Sequence, residues 1–417
     1  MTGQDLLKLK DLNVFRPIVM DAIINEFVPD PDAFLLTDAF LPFKLVDRSK
    51  LLDLINNGAF GRTNPVSLDA AHKLISIPGQ SYKEHTVGHW REALQFGETV
   101  LQEAMNPAAP MERMGEKLAT DATNLLDLRL NNLIEYLTAK IIINGQYSEA
   151  RFGINYTYNP NIPAKYMKNV TATPGWTTGG TWATASAATP IADIVGMMIA
   201  MRRYGLEPEI AYMSVSTMEM FYNAVNTQNL MKASMQLVNQ SADRSVIFST
   251  LVGLSVKIDS RVYAEETRFT AASPVTDTTL DVENSAEFTA GDIITLRNTL
   301  GQEEEKTISS IAGNVITLTA GVTNAYQKGD RVTVYKPFLP DGYVVIKARS
   351  KDRMIPNNWV SSPSIVKSQD WTNPLPGRYT WTGFHHETPP YWLQIGAGIS
   401  GGPKVSRPNW GTLRVIA

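Results

Sequence analysis

The residues best suited to chemistry are two adjacent histidines and a glutamate, His385-His386-Glu387. Histidine and glutamate are common zinc ligands, so this triplet raises the question of a metal site. The residues around it, RYTWTGF before and PPYWLQIGAGI after, are typical of strands. Because consecutive side chains of a strand point to opposite faces, the two imidazoles cannot both reach one metal. We therefore interpret the pair as strand positions that face solvent or an interface.

The remaining candidates for chemistry are few. The other histidines are His72, His85 and His89, and none belongs to an HExxH pattern on a helix. The chain has no cysteine and no Walker A loop, and it lacks the Asp/Asn array of a calcium loop. The glycine-rich stretch GISGGPK (398–404) reads as a turn between two strands rather than a phosphate loop. We predict no catalytic residue, no metal and no cofactor, and hence no enzyme.

Composition narrows the class of protein further. The 417 residues are 43% hydrophobic and 19% charged, as in globular proteins, with a formal net charge of −3. A nearly neutral chain of this kind is not built to grip nucleic acid over its whole surface. The most apolar helical stretch, IADIVGMMIAM (191–201), is too short to span a bilayer, and no secretory signal begins the chain. We expect a protein made in a cytoplasm, without a membrane segment.

The elements that would position these residues follow from periodicity. The first fifty residues are short amphipathic pieces broken by proline, which suggests an arm that packs on something else. Residues 68–100 contain short runs typical of strands on both sides of a turn signal at Pro78-Gly79. They predict a long projecting β-hairpin with two polar faces. Residues 110–144 repeat apolar side chains at three- and four-residue spacing and end at Asn144-Gly145, which predicts one helix about 50 Å long.

The second half of the chain mixes both kinds of element. A helix opens at Pro190 and stops at Gly205, AYMSVSTMEMFYNAV reads as a strand followed by a helix, and LVGLSVKIDSRVY reads as a strand pair. Residues 266–335 contain an internal repeat, because FTAGDIITL (288–296) is similar to YQKGDRVTV (326–334). Short strands with Gly-Asp turns predict a small β-barrel or sandwich inserted into an α+β domain.

The order of these elements resembles the major capsid proteins of tailed bacteriophages, which share the HK97-like fold, and most closely the lambda head-protein (capsid protein E) type. The residues that carry the resemblance are the opening TGQDLLKLKDLNVFRPIVMDAIINEF, the strand FLPDGYVVI (338–346), and NNWV (357–360) followed by NPLPGRYTWTGFHHETPPYWLQIGAG (373–398). The resemblance covers most of the chain outside 266–335.

The resemblance implies a division of the chain into named regions. These are an N-terminal arm (1–50), an extended β-hairpin loop (51–110), a spine helix (111–150), a peripheral domain (151–189 and, after the end of the axial domain, 336–417), an axial domain (190–265) and the inserted small all-β domain (266–335). The arm and the hairpin would be covered by neighbouring subunits. The candidate contacts between subunits are accordingly Lys83, His85, His89, Trp90, Arg91, Phe15 and Phe27.

The implied function is mechanical. Many copies would form pentamers and hexamers of an icosahedral phage head, assembled in the host cytoplasm around double-stranded DNA that is enclosed but not read in sequence. The partners implied are a separate scaffolding protein, because the arm begins almost at Met1, a portal and a possible decoration protein. No autocatalytic cross-link is expected, since Lys83 has no identifiable partner.

Two other functions stay open from the sequence. An encapsulin-type cellular compartment shell has the same fold, and a cargo-enzyme gene beside this one would favour it. A secreted or tail-associated carbohydrate-binding or hydrolytic protein is suggested by the β insertion and the eight tryptophans. A hydrolytic protein of this kind would have a substrate groove with paired acids, which the sequence does not show.

Overall fold

The structure is a computed structural model that describes residues 34–45, 50–56, 80–86, 88–97, 111–151, 154–171, 180–235, 244–349, 357–361, 363–367, 374–376, 378–385, 392–406 and 408–416. The helices in these ranges are α1 (Leu35–Phe40), α2 (Met111–Asn144), α3 (Pro190–Arg203), α4 (Val215–Asn223), α5 (Val225–Met235) and α6 (Arg244–Val252). A 3₁₀ turn covers Ala164–Tyr166.

Strands dominate the described residues. They are β1 (Phe43–Leu45), β2 (Lys50–Asn56), β3 (Gln80–Thr86), β4 (Gly88–Gly97), β5 (Tyr147–Arg151), β6 (Ile154–Tyr158), β7 (Met167–Asn169), β8 (Pro208–Ser214), β9 (Ser255–Asp259), β10 (Val262–Arg268), β11 (Thr279–Asp281), β12 (Ile293–Arg297), β13 (Glu303–Ala312), β14 (Val315–Leu318), β15 (Arg331–Pro337), β16 (Tyr343–Ala348), β17 (Asn358–Ser361), β18 (Pro363–Lys367), β19 (Pro374–Pro376), β20 (Arg378–His385), β21 (Trp392–Lys404) and β22 (Trp410–Arg414). The predicted α+β class is therefore observed.

The chain divides into two compact units, which we describe separately. The first comprises the described residues of Met1–Tyr212, Asn223–Lys257 and Val344–Ala417. The second comprises Met213–Tyr222 and Ile258–Tyr343.

The long helix α2 of the first unit lies where its periodicity predicts. Its apolar positions Leu126, Leu130, Leu137 and Ile141 are buried. The helix stops at Gly145, whose φ of 72° is a left-handed conformation that glycine adopts without strain. The backbone N–H of Gly145 still donates to the Ile141 carbonyl at 2.9 Å, so the last turn is closed.

Strand β21 is the centre of a five-stranded sheet. It pairs antiparallel with β20, β4 and β17, and β1 adds parallel to β17. The stretch GISGGPK therefore lies inside this strand, and its interpretation as a turn was wrong. The glycines make room for aromatic rings, because a Cβ on Gly396 would lie 2.2 Å from the Trp381 ring. A glycine-rich strand covered by rings from its neighbours has the same local composition as a loop.

A second five-stranded sheet has the order β7-β22-β16-β8-β9. The helix α3 that begins at Pro190 and the β8-to-α4 transition both agree with the sequence prediction. The predicted strand pair in LVGLSVKIDSRVY was wrong. Leu251 and Val252 end helix α6, and β9 and β10 join different sheets, β9 pairing with β8 and β10 with β15. The remaining described strands form the pairs β2–β3, β5–β6 and β18–β19.

The second unit contains a six-stranded antiparallel sheet of order β10-β15-β12-β13-β14-β11. Its two edges meet at a bridge between Phe269 and Val282, which directly follow β10 and β11. On either side of the bridge the Thr270 N–H donates to the Asp281 carbonyl and the Glu283 N–H to the Arg268 carbonyl, each at 2.9 Å. The sheet is thus closed into a barrel.

The inside of the barrel is filled by apolar side chains, as a small closed barrel requires. The buried residues that form this core are Phe269, Leu280, Val282, Phe288, Ile294, Leu296, Ile308, Ile316, Leu318, Val322, Tyr326, Val332 and Val334. The chain enters at β10 and leaves at β15, and these strands pair along their length from Val262↔Pro337 to Arg268↔Arg331.

The internal repeat seen in the sequence forms two identical turns. Gly291 has a φ of 92° and Gly329 a φ of 93°. The Asp292 carboxylate accepts the Thr289 N–H at 2.7 Å, and the Asp330 carboxylate accepts the Gln327 N–H at 2.7 Å. The Gly-Asp pairs of the two repeats thus share a backbone conformation and a side-chain hydrogen bond, which accounts for the repeat.

The two repeats, β10-β11-β12 and β13-β14-β15, are interleaved. Four pairs join the two repeats with each other, namely β12–β13, β10–β15, β12–β15 and β11–β14. Interchanging the repeats exchanges the first two pairs and leaves the last two unchanged. Ile308 exchanges hydrogen bonds with Gly291 and Asp292 of one turn, and Phe269 does so with Gly329 and Asp330 of the other. The pairing scheme is unchanged when the repeats are interchanged, so the barrel has an approximate two-fold arrangement.

Candidate functional site

The predicted contact residues lie on two consecutive strands. Lys83 and His85 are in β3, opposite Asp53 and Leu51 of β2. His89, Trp90 and Arg91 are in β4, which pairs with the central strand β21 instead of projecting in a hairpin. Their expected position in the projecting hairpin was therefore wrong, because the alternating polar pattern of β4 suits a sheet as well as a free ribbon. Phe15 and Phe27 lie outside the described residues.

His89 is held by the sheet. Its Nδ1 lies 2.8 Å from the hydroxyl of Ser400 on β21. Burial, and then the nearby Arg91 charge, lower the pKa of His89 below its usual value, so the ring is neutral at physiological pH. Ser400 is fully buried, so its hydroxyl cannot meet a substrate. The pair joins two strands and does not resemble a catalytic dyad that is open to solvent.

Trp90 packs inside its own chain. Its ring meets Tyr156 edge-on at 5.3 Å and Trp359 at 6.4 Å between centroids. A Cβ on Gly88 would lie 2.2 Å from the Trp90 ring, so the glycine makes room for it. This aromatic cluster connects β4, β6 and β17, and it fixes the start of β4 in the sheet. Arg91 is exposed beside it.

The helix α2 is tied to the same strand by an ion pair. Arg129 Nη2 donates to Glu92 Oε1 at 2.9 Å, and Arg129 Nε donates to the other carboxylate oxygen. Both side chains are about half exposed, at 49% and 45%. A bidentate pair at this exposure orients the strand against the helix more than it stabilises the fold.

A buried carboxylate on α2 holds the short helix α1. Glu135 is fully buried, and it accepts the Leu36 N–H at 2.6 Å, the Thr37 N–H at 3.0 Å and the Thr37 hydroxyl at 2.7 Å. The Thr37 hydroxyl also lies 3.0 Å from that of Thr138. Free N–H groups at the start of a helix are natural partners of a carboxylate. The segment Leu35–Phe40 is thus fastened to the long helix.

Sequence reasoning missed this contact, although a signal was present. Polar side chains recur on α2 at almost regular four-residue spacing and are all buried, namely Thr123, Asp127, Asn131, Glu135 and Thr138. Asn131 donates to Asp127 at 3.2 Å within this row. A polar row on a helix is ordinarily read as its solvent face. Here it is a second buried face, so the helix is covered on two sides.

The structure describes one of the two adjacent histidines that raised the question of a metal site. His385 ends β20 opposite Trp392, and His386 lies outside the described residues. Within the described ranges, no three His, Asp or Glu side chains are grouped so as to hold a metal ion. None of the described helices is long and apolar enough to cross a membrane. The side chains brought together here connect structural elements.

Comparison with known proteins identifies the fold. No protein-family model and no curated protein sequence matches the chain. Among solved structures, the chain is similar to a protein assigned as the capsid protein of a prophage of Escherichia coli CFT073. The identity is 11%, the match covers 96% of this chain and 99% of that one, and the TM-score is 0.51.

Two further solved structures match less closely. A phage-related protein of Bordetella bronchiseptica RB50 is 10% identical over 95% of this chain and 96% of that one, with a TM-score of 0.44. The SrpI encapsulin of Synechococcus elongatus PCC 7942 is 9% identical over 94% and 89%, with a TM-score of 0.40. At 11% identity the Escherichia coli match establishes a shared fold. The chain therefore has a capsid-protein fold, and the predicted resemblance is confirmed at that level.

Proposed function

We propose that the chain is the structural major capsid protein of a tailed phage, of the HK97-like type, and that it self-assembles into pentamers and hexamers of an icosahedral head around double-stranded DNA. The observation that carries the proposal is the match to the prophage protein over 96% of this chain and 99% of that one. A likeness of whole chains, rather than of one domain, supports a shared architecture, and the shared task is our inference from that architecture. The closing sequence NPLPGRYTWTGFHHETPPYWLQIGAG supports the lambda head-protein type.

We keep the division into regions with two changes. We assign 1–50 to the N-terminal arm and 190–265 to the axial domain. The spine helix is limited to 111–144, because α2 ends at Asn144, and 145–189 with 336–417 are assigned mainly to the peripheral domain. The extended loop, first placed at 51–110, is better limited to β2, β3 and the residues between them. The reason is that β4 is paired along Gly88–Gly97 with the central strand β21.

We infer that the barrel is an insertion in this fold. It has its own buried core, and its first and last strands lie side by side. The strands that precede and follow it, β9 and β16, belong to one five-stranded sheet with β8 between them. That sheet can form whether the connection between β9 and β16 is short or long.

The partners we propose are other copies of this chain, a separate scaffolding protein, a portal and a possible decoration protein. Lys83, His85 and Arg91 stay as candidate contacts between subunits, with Phe15 and Phe27 of the arm. His89 and Trp90 are better assigned to holding β4 in place, given their contacts with Ser400 and Tyr156. Packaged DNA would be enclosed without specific readout, in keeping with the net charge of −3. The role is structural and not enzymatic, in a virion assembled in the host cytoplasm.

The test is negative-stain electron microscopy of the purified chain together with size-exclusion chromatography. Closed polyhedral shells, or rings of five and six, are the expected result. The contents of shells isolated from the native source then separate the two kinds of container, since a phage head holds DNA and an encapsulin-type shell holds a cargo protein. A monodisperse monomer at high concentration, unchanged by a scaffolding partner, would contradict the proposal.

A further inference from the structure

The outer surface of the barrel carries a cluster of exposed apolar side chains at one end. Tyr335 and Ile293 are each 62% exposed and Val262 is 54% exposed. They lie on the neighbouring strands β15, β12 and β10. We call Val262, Ala264, Ile293 and Tyr335 the apolar face.

Strand register places these four side chains together. Tyr335 pairs with Ala264, and Val262 is two residues away on the same side of β10. Ile293 and Tyr335 each lie one position beyond the paired residues Ile294 and Val334, which point into the core. Because side chains alternate along a strand, all four point outward.

The barrel itself does not require an apolar surface here. With the offset of 38 positions between the repeats, Tyr335 corresponds to Arg297 and Ile293 to Arg331. Those arginines are exposed on the same backbone arrangement, where they pair with Glu303 and Glu266 at 3.4 Å. The same fold thus accepts charge at one end and shows apolar groups at the other. The barrel fold alone therefore does not account for the difference between the two ends.

The size of the apolar face limits what that cover can be. An aromatic side chain has an area of about 150–250 Å², so the four side chains together expose on the order of 300 Å². That is comparable to the largest apolar patch on an ordinary monomer, which is often functional. A stable dimer buries about 800 Å² on each partner, so this face alone cannot hold two free chains together. It suits a contact that forms only where other contacts already bring the partners close.

We infer that the apolar face is covered by a second copy of this chain, within the assembled shell. This inference rests on the proposed function, because only a shell holds many copies near one another. The contact is weak alone and cumulative over many subunits. It would strengthen the shell without joining free subunits in solution.

The first test uses a double variant, Tyr335→Arg with Ile293→Arg, which gives the apolar end the residues of its counterpart. The matched control is Leu300→Arg with Val275→Arg, since these apolar residues are exposed at 83% and 50% elsewhere on the barrel. We expect the test variant to need at least tenfold more protein to assemble, and the control to assemble like wild type. If the wild-type chain forms shells and the test variant assembles at the same protein concentration, this inference alone is overturned. A wild-type chain that forms no shell would overturn the proposed function and the inference with it.

A second measurement identifies what covers the face. The chain has no cysteine, so Tyr335→Cys and Leu300→Cys each introduce a single thiol. Shells assembled from each purified variant are labelled with benzophenone maleimide and illuminated. Covalent dimers of the chain should form from position 335 and not from position 300. Crosslinking at 335 that does not exceed that at 300 would refute a second copy as the occupant.

Discussion

Replacing Glu304 with glutamine should destabilise the barrel in a way that depends on pH. The Glu304 carboxylate accepts the Thr323 N–H at 2.9 Å, the Thr323 hydroxyl at 2.6 Å, the Asn324 N–H at 3.2 Å and the Tyr326 hydroxyl at 2.8 Å. Lys306 Nζ lies 3.2 Å away, and the Glu304 side chain is only 9% exposed. Four hydrogen bonds and an ion pair thus converge on one charge, which ties β13 to the segment before β15.

The size of the expected loss in folding free energy follows from the pKa of this carboxyl. Burial, the largest single influence, raises the pKa of Glu304, but the hydrogen bonds from Thr323, Tyr326 and Asn324 together lower it from 4.5 to about 2. The difference corresponds to about 3 kcal/mol of folding free energy, at about 1.36 kcal/mol per pKa unit. Because the pKa is lower in the folded state, this contribution is complete above about pH 4.5 and is lost as the pH falls through about 2. At pH 3 about 1 kcal/mol of it is left.

The assay is hydrogen exchange read by mass spectrometry on peptides from 303–337, at pH 7 and at pH 3 with longer labelling times. Glu304→Gln should lower the opening free energy of the barrel by about 3 kcal/mol at pH 7 and by about 1 kcal/mol at pH 3. Glu303→Gln is the control, because that neighbouring side chain is 54% exposed and pairs only at the surface. An equal loss at both pH values would refute the argument from charge and leave only a steric effect.

Three further predictions test single contacts. Burial raises the pKa of Asp193 to about 6, against the hydrogen bond from Trp182, which lowers it. The protonated carboxyl therefore contributes stability that is complete below about pH 4 and is lost as the pH rises through 6. Asp193→Asn should gain about 3 kcal/mol at pH 8 and little at pH 4 in thermal melts, at about 1.36 kcal/mol per pKa unit. Glu135→Gln should weaken the docking of α1 by about 2–4 kcal/mol, because one of the two side-chain oxygens can no longer accept its N–H groups. The loss should appear as faster hydrogen exchange of the α1 amides. Unchanged exchange would contradict the docking of α1 by Glu135. Asp330→Ala should lower the opening free energy of barrel peptides by about 2–3 kcal/mol, and Asp292→Ala by about 1 kcal/mol. The reason is that Asp330 is 3% exposed and accepts a second N–H from Thr299. Equal losses from the two variants would contradict the role of burial.

Local patterns predicted the local structure well. The helix α2 follows from apolar side chains at helical spacing and from Gly145, because both act within a few residues. The turns at Gly291 and Gly329 follow from the repeated Gly-Asp pair for the same reason. These features depend on nearby residues, so they can be read along the chain.

Long-range partners could not be predicted in this way. Trp392–Gly401 of β21 pairs with Gly97–Gly88 of β4, far away in the chain, and the alternation of β4 fits a projecting ribbon equally well. The pairing is chosen by ring packing, as between Trp90 and Trp359, which is a property of the folded sheet. The burial of the polar row that includes Glu135 could not be predicted for a related reason. Its burial depends on the N–H groups of a segment that lies 98 residues earlier in the chain.

The side-by-side arrangement of the first and last barrel strands has a consequence for how such a chain is acquired and folded. The entropy lost in closing a loop depends on the separation of its ends and only slowly on its length. Strands β10 and β15 hold the two ends of the barrel one strand spacing apart, about 4.8 Å, and the Phe338 N–H still donates to the Arg261 carbonyl at 3.3 Å. Once the barrel has folded, the loop-closure entropy that it costs the rest of the chain is therefore similar to that of a tight turn. A whole domain can therefore be gained or lost at this point with little entropic consequence for the fold that carries it.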